Sequence, residues 1–130
     1  RGRADALAAA QRMVELAEAR GVDAQRGVAI NSMGTDCAWR DANAKLWPQT
    51  ERIKAWAIMA SRASDTSEAL RSLDHCSAAI AGLMGYLTRP LAGGWYESLD
   101  AQGAWSAEPV RASSLYHVVC ALETVAHTAA

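Results

Sequence analysis

Apolar residues fall into four stretches of helical spacing, separated by two stretches of shorter runs. From Arg3 to Arg20, Leu7, Ala10, Val14 and Ala17 recur one turn apart, and Gly21 follows a basic last turn, which predicts a first helix and its stop. Gly27 to Arg40 then switches to short apolar runs, with Val28 and Ile30 before Met33-Gly34-Thr35-Asp36 and Cys37 and Trp39 after it, the pattern of a small hairpin. A second helix is expected to start near Pro48, whose missing N–H costs nothing in a first turn, and to run to about Arg62. Its Ile53, Trp56, Ala57 and Ala60 follow a core-facing period, whereas Trp47, Glu51, Ala55 and Ile58 line a different face.

Asp65 and Glu68 stand at capping-box spacing within Ser64-Asp65-Thr66-Ser67-Glu68 and open a third helix. The stripe Leu70, Leu73, Ser77, Ile80, Met84 and Leu87 is predicted to be its buried face, with Pro90 closing it. Gly82 and Gly85 weaken that helix by about 1 kcal/mol each relative to Ala, so either they permit a close contact or the helix frays early. Gly93 to Pro109 predicts a second hairpin, Trp95 to Leu99 and then Trp105-Ser106, around the turn Asp100-Ala101-Gln102-Gly103. A last helix opens near Ser113-Ser114 with Leu115, Val118, Leu122 and Val125 on its core face. The fold class is therefore all-α, the hairpins serving as decorated loops, with no sheet large enough to be a core.

Composition narrows the partners. The chain has 130 residues, a net charge of −1 and 51% apolar residues, which fits one globular unit. No basic run points to nucleic acid, no polybasic patch to an anionic membrane, and no uninterrupted apolar run reaches membrane-span length. A cytoplasmic address is expected. Cys37, Cys76 and Cys120 are odd in number and far apart, so reduced, buried thiols are expected in place of disulfides or a zinc site. The chain begins Arg1-Gly2-Arg3 without Met and enters a helix at once, as a piece of a longer protein would.

Candidate chemistry gathers around two of the helix starts. Trp47 and Glu51 lie one turn apart, and an indole plane beside a carboxylate suits a sugar, whose C–H face stacks while its hydroxyls donate. The same spacing also fits a core tryptophan and a surface glutamate favoured by the helix dipole. His117 is expected within the first turn of the last helix, where unsatisfied N–H groups favour a neutral imidazole able to do general acid/base work; a turn-capping histidine is the alternative. His75 and His127 have weaker claims, one mid-helix between Asp74 and Cys76 and the other near the C-terminus. Arg111 either binds an anionic or hydroxyl-rich ligand or is a solvated loop residue.

Three linked motifs add a family. Lys45-Leu46-Trp47-Pro48-Gln49-Thr50-Glu51-Arg52, then Gly94-Trp95-Tyr96-Glu97 with Asp100 and Gly103, then Ala112-Ser113-Ser114-Leu115-Tyr116-His117 resemble, in order and spacing, the C-terminal part of the N-acylglucosamine 2-epimerase family, most closely its mannose and mannose-6-phosphate isomerase branch. The resemblance implies an (α/α)6 barrel, of which residues 1–130 would be the C-terminal fragment of a single domain. It also implies cofactor-free and metal-independent proton transfer at sugar C1–C2, shared by two histidines. His117 matches the second of these, Glu51 a glutamate that binds substrate or supports the histidine, and Trp47 the tryptophan beside it; Gln49 and Arg111 join Trp47 as substrate-binding residues. The partners implied are a small-molecule sugar, the remainder of the barrel and, for the full enzyme, a homodimer. Leu46-Trp47 stands where disaccharide epimerases tend to have paired tryptophans, and Val110-Arg111-Ala112 where they have an aromatic, which disfavours disaccharides. The family's other catalytic histidine, in a Glu-Pro-Gly-His-x-x-Glu-like helix, has no counterpart here, so this chain alone is expected to turn over little or no sugar.

Four functions follow from these residues. The leading one is aldose–ketose isomerisation of mannose or mannose 6-phosphate, with His117, Glu51 and Trp47 converging at the helix starts. The second is 2-epimerisation of N-acylglucosamine or another sugar by the same proton transfer. A glycoside hydrolase would need two opposed carboxylates where only Glu51 has support. A non-catalytic helical module is the fourth.

Overall fold

The computed structural model describes residues 3–88 and 94–128, so the roles expected of Arg1-Gly2, Pro90 and Gly93 lie outside the described residues. Four helices make up most of it: α1 (Ala4–Gly21), α2 (Leu46–Ser61), α3 (Thr66–Leu87) and α4 (Ala112–Thr128). Helix α2 packs against both α3 and α4, and its buried residues Leu46, Gln49, Thr50, Ile53, Trp56 and Ala57 keep the period of one helix face. Pro48 sits in the first turn of α2, which starts two residues ahead of it. Ile53, Trp56 and Ala57 are core as their spacing predicts, and Trp47 and Ile58 are exposed on the other face. Among the described residues no helix is long and apolar enough to cross a membrane.

The strands are short and serve the helix starts. The expected first hairpin is two: β1 (Val22–Asp23) pairs with β2 (Val28–Ala29), and β3 (Ser32–Met33) pairs with β4 (Trp39–Asp41) across a turn in which Cys37 has φ 59°. The later hairpin forms between β6 (Ser98–Leu99) and β7 (Trp105–Ser106), its turn closed by Gly103 N–H donating to the Asp100 carbonyl at 3.1 Å with Gly103 at φ +87°. Unforeseen in the sequence is β5 (Ala44–Lys45), which pairs with β6 and makes a three-stranded ladder at the head of α2. No larger sheet occurs among the described residues.

Helix α3 is capped much as expected: Asp65 accepts from Glu68 N–H at 2.8 Å, while the Glu68 carboxylate accepts from both the N–H and hydroxyl of Ser64. Its buried face, however, is Ser72, Cys76, Ala79, Leu83 and Tyr86. Leu70, Leu73, Ile80 and Met84 of the expected stripe are exposed, and only Leu87 packs partly on the core. Two helical stripes run side by side on α3, and the one with the smaller residues is used because Ser72, Cys76 and Ala79 let α2 approach closely. The same substitution of small for large occurs in α4, where Ser114 and Ala121 are buried, Val118 and Val125 pack partly, and Leu115 and Leu122 are exposed. Helix α1 buries no residue fully, and Val14 alone of its expected stripe packs on the core. Cys76 is buried, but Cys37 and Cys120 are only half-buried, so the expectation of three buried thiols is met once.

Both glycines of α3 permit close contacts, and the helix continues through them. A Cβ on Gly82 would lie 2.5 Å from the Gly27 carbonyl oxygen of the β1–β2 turn, and one on Gly85 would lie 3.3 Å from the Trp105 ring. Elsewhere α1 is held by charge. Arg52 clasps the Glu18 carboxylate with two nitrogens at 2.6 and 2.9 Å, the Trp56 indole N–H donates to the same group at 2.8 Å, and His75 approaches it at 3.3 Å while stacking on Trp56. Burial alone would raise the Glu18 carboxyl, but the hydrogen bonds from Arg52 and Trp56 outweigh it and hold the group below its ordinary 4.5. Stability from Glu18 is therefore complete above that value and is lost as pH falls through the lowered one.

Two substitutions test this packing by urea unfolding. Gly82→Ala should destabilise by about 1–3 kcal/mol through overpacking, against a helix-propensity gain of about 1 kcal/mol. Glu18→Ala should cost about 3–5 kcal/mol at neutral pH because it strands Arg52, and the difference from wild type should shrink once the solution is more acidic than the lowered carboxyl.

Candidate active site

The first turn of α2 carries Trp47, Glu51 one turn on, and Lys54 three residues further, all on the face turned from the core. Helix α4 begins at Ala112, so His117 lies in its second turn, one turn deeper than the sequence suggested, and the dipole argument for its protonation state loses its footing. The ring finds a partner instead: His117 Nδ1 lies 3.1 Å from Glu51 Oε1. A carboxylate has no proton to give, so Nδ1–H is the donor and Nε2 is left with its lone pair in the neutral ring. The Trp47 and His117 rings stand with centroids 6.1 Å apart, tilted by 39°, and Tyr116 meets His117 edge-on at 5.8 Å. Trp47, Glu51 and His117 thus converge although about seventy residues of chain separate the first from the last, a distance the tertiary contact between α2 and α4 removes.

His117 opens onto a cavity of about 50 Å³ lined by Lys45, Trp47, Glu97, Glu108, Arg111, Ser113 and Ser114. Trp47 separates it from an apolar cleft of about 300 Å³ between α1 and α2, which Glu51 also lines, and Lys45 and Glu108 join it to a polar groove of about 450 Å³ along β5–β7. Arg111 has an exposed guanidinium, 3.5 Å from Glu108, at the cavity rim. Gln49 is a correction. It is fully buried, with Oε1 accepting from Ala29 N–H at 2.7 Å and Nε2 donating to the Ala29 and Lys45 carbonyls at 2.9 Å, so its amide is consumed in joining β2 to α2.

Glu97 is the residue that the sequence reading passed over. Its carboxylate is buried and accepts three hydrogen bonds, from the Trp95 indole at 3.0 Å, from Arg111 N–H at 2.8 Å and from the Ser114 hydroxyl at 2.7 Å. Its own carbonyl accepts from Leu46 N–H at 2.9 Å. One residue therefore fixes the first residue of α2 and the start of α4. The only sequence signal was its place in the Gly-Trp-Tyr-Glu motif, which says nothing of what the carboxylate binds. His75 is engaged with Glu18 and Trp56, and His127 Nδ1 lies 2.7 Å from the Glu123 carbonyl. Among the described residues no group of three or more His, Cys, Asp or Glu is arranged to hold a metal ion.

With that geometry in hand, comparison with known proteins is decisive about kinship. The family model for N-acylglucosamine 2-epimerase (GlcNAc 2-epimerase) matches residues 1–121. The chain belongs to that family. It is also 36% identical over 122 residues to the mannose-6-phosphate isomerase of Rhizobium meliloti (strain 1021), an alignment that covers 94% of this chain and 31% of that protein. The chain thus spans about a third of the length of the curated relative it matches. Within the N-acylglucosamine 2-epimerase match lie all the residues that build the cavity, Lys45 through His117.

Glu97→Ala should leave the Trp95 indole, Arg111 N–H and Ser114 hydroxyl without their acceptor and cost about 3–5 kcal/mol in urea unfolding, since each stranded donor is worth about 1–3 kcal/mol. Glu97→Gln, which keeps shape and one acceptor, should cost less. Equal stability of the alanine variant and wild type would show that solvent replaces the carboxylate freely.

Proposed function

We propose that this chain forms the C-terminal part of a single (α/α)6-barrel domain of a carbohydrate isomerase that interconverts mannose or mannose 6-phosphate with the corresponding ketose. The observation that carries the reading is the His117–Glu51 pair beside the Trp47 ring at the cavity. Kinship with the N-acylglucosamine 2-epimerase family and with a protein named mannose-6-phosphate isomerase supports the sugar chemistry. The barrel has independent physical support in the exposed apolar faces of α1, α3 and α4, among them Leu7, Leu70, Leu73, Met84, Leu115 and Leu122, which further helices would cover.

In this mechanism the open-chain aldose lies against the Trp47 ring, with Arg111 and Glu51 within reach of its hydroxyls. A base removes the proton from C2, the C1 carbonyl oxygen takes up a proton, and a cis-enediol results. Return of a proton to C1, with loss of the O2 proton as the C2 carbonyl forms, gives the ketose. His117 Nε2 is one of the two groups that move these protons, held in its tautomer by Glu51; the other histidine is contributed by sequence outside this chain. Returning the proton to the opposite face of C2 would instead give the 2-epimer, a reading that the family's description favours, and product analysis by NMR separates the two outcomes.

In the full-length enzyme, His117→Ala should lower kcat by about 10²–10⁴-fold with KM changed little, because the imidazole acts on a proton only in the transition state. Glu51→Gln should both raise KM and lower kcat, since the carboxylate serves hydroxyls or the imidazole in both states. Near-normal turnover by His117→Ala with a lowered melting temperature would return His117 to a structural role.

A further inference from the structure

The oxygen of Glu51 that holds His117 is shared. Lys54 Nζ lies 2.7 Å from Glu51 Oε1, the same atom that His117 Nδ1 reaches at 3.1 Å. A carboxylate oxygen offers two lone pairs, and here one faces an ammonium and the other an imidazole. The Lys54 side chain is 23% exposed and that of Glu51 43%, so the pair is partly open to solvent and subject to its screening. The i, i+3 spacing of Glu51 and Lys54 places both on one face of α2, so this ion pair lies within a single helix.

We propose that Lys54 is a positioning residue that keeps His117 in its proton-accepting form by sharing the Glu51 carboxylate. The inference rests on the reading of His117 as a proton-transfer group. A histidine facing an unshared carboxylate is stabilised as imidazolium, which cannot take a proton from carbon. Lys54 opposes this twice, by neutralising the carboxylate and by placing a second positive charge beside the ring. Other groups around His117 are differently committed. Glu97 accepts from three donors, and Glu108 accepts from the Ser98 hydroxyl and faces Arg111. Lys45 and Arg111 also line the cavity, and Tyr116 meets the ring edge-on with Cys120 one turn along α4. Glu51 is the one carboxylate among the described residues in hydrogen-bond contact with the ring, so the cation on Glu51 governs it.

The test uses the full-length enzyme and two readouts: the pH dependence of kcat/KM, and the NMR titration of the His117 ring, assigned by its loss in His117→Gln. Lys54→Met should move the acid limb of the profile up by about one pH unit, the size expected when an opposite charge is no longer offset at this range, with the ring titration moving alike. Lys54→Arg, which keeps the charge, should restore both, and Lys54→Gln provides a second neutral variant should Lys54→Met fold poorly. Unmoved titration of His117 in both neutral variants overturns the proposal, whatever their stability. If the ring titration moves but the activity limb does not, Lys54 does control His117 and it is the proton-transfer role of His117 that fails.

Discussion

A buried carboxylate has to be satisfied by donors, and Glu97 accepts from three: the nearby Trp95 indole, and Arg111 N–H and the Ser114 hydroxyl at the start of α4. Because its backbone carbonyl also receives the first N–H of α2, the two helices that carry Trp47, Glu51 and His117 start from one residue. Side chains on rigid helices hold their separations better than side chains on loops, and here the rigid pieces are registered where the site begins. The β5–β6 pairing adds a backbone constraint at the head of α2, setting Ala44 against Leu99 and Lys45 against Ser98.

Helix α2 divides its labour by face. Ile53, Trp56 and Ala57 are core, Gln49 bonds the preceding strands, and Trp47, Glu51 and Lys54 are turned toward α4 and the cavities. Arg52 lies between the faces and ties α1 through Glu18. A single helix thus joins packing and strand connection and also presents the Glu51 carboxylate to His117 of α4.

Helix existence and the second hairpin were legible in the sequence because period and turn chemistry are local signals, whereas the convergence of Trp47, Glu51 and His117 was expected only through the family resemblance. What was not legible depended on neighbours. On α3 the sequence shows two stripes but not which neighbour each meets: Ser72, Cys76 and Ala79 are buried within this chain, whereas Leu70 and Leu73 are exposed in it. Gln49 lies inside the most specific motif, yet its burial against Ala29 follows from a strand pairing that no window of sequence contains. Glu97 was invisible as a functional carboxylate for the same reason, its donors coming from residues up to 17 positions away.

The three-stranded ladder has a consequence for how disturbances travel. Its strands β5 and β6 are separated by about fifty residues, and closing a flexible loop of that length opposes the pairing by about 3–4 kcal/mol beyond a constant. The packed α2–α3 pair takes up residues 46–87 of that interval and so shortens the length of free chain that the pairing has to close. The alignment of Glu51 with His117 is therefore underwritten by chain entropy removed elsewhere. A change in the seam between α2 and α3, far from the cavity, would still loosen the contact between Glu51 and His117.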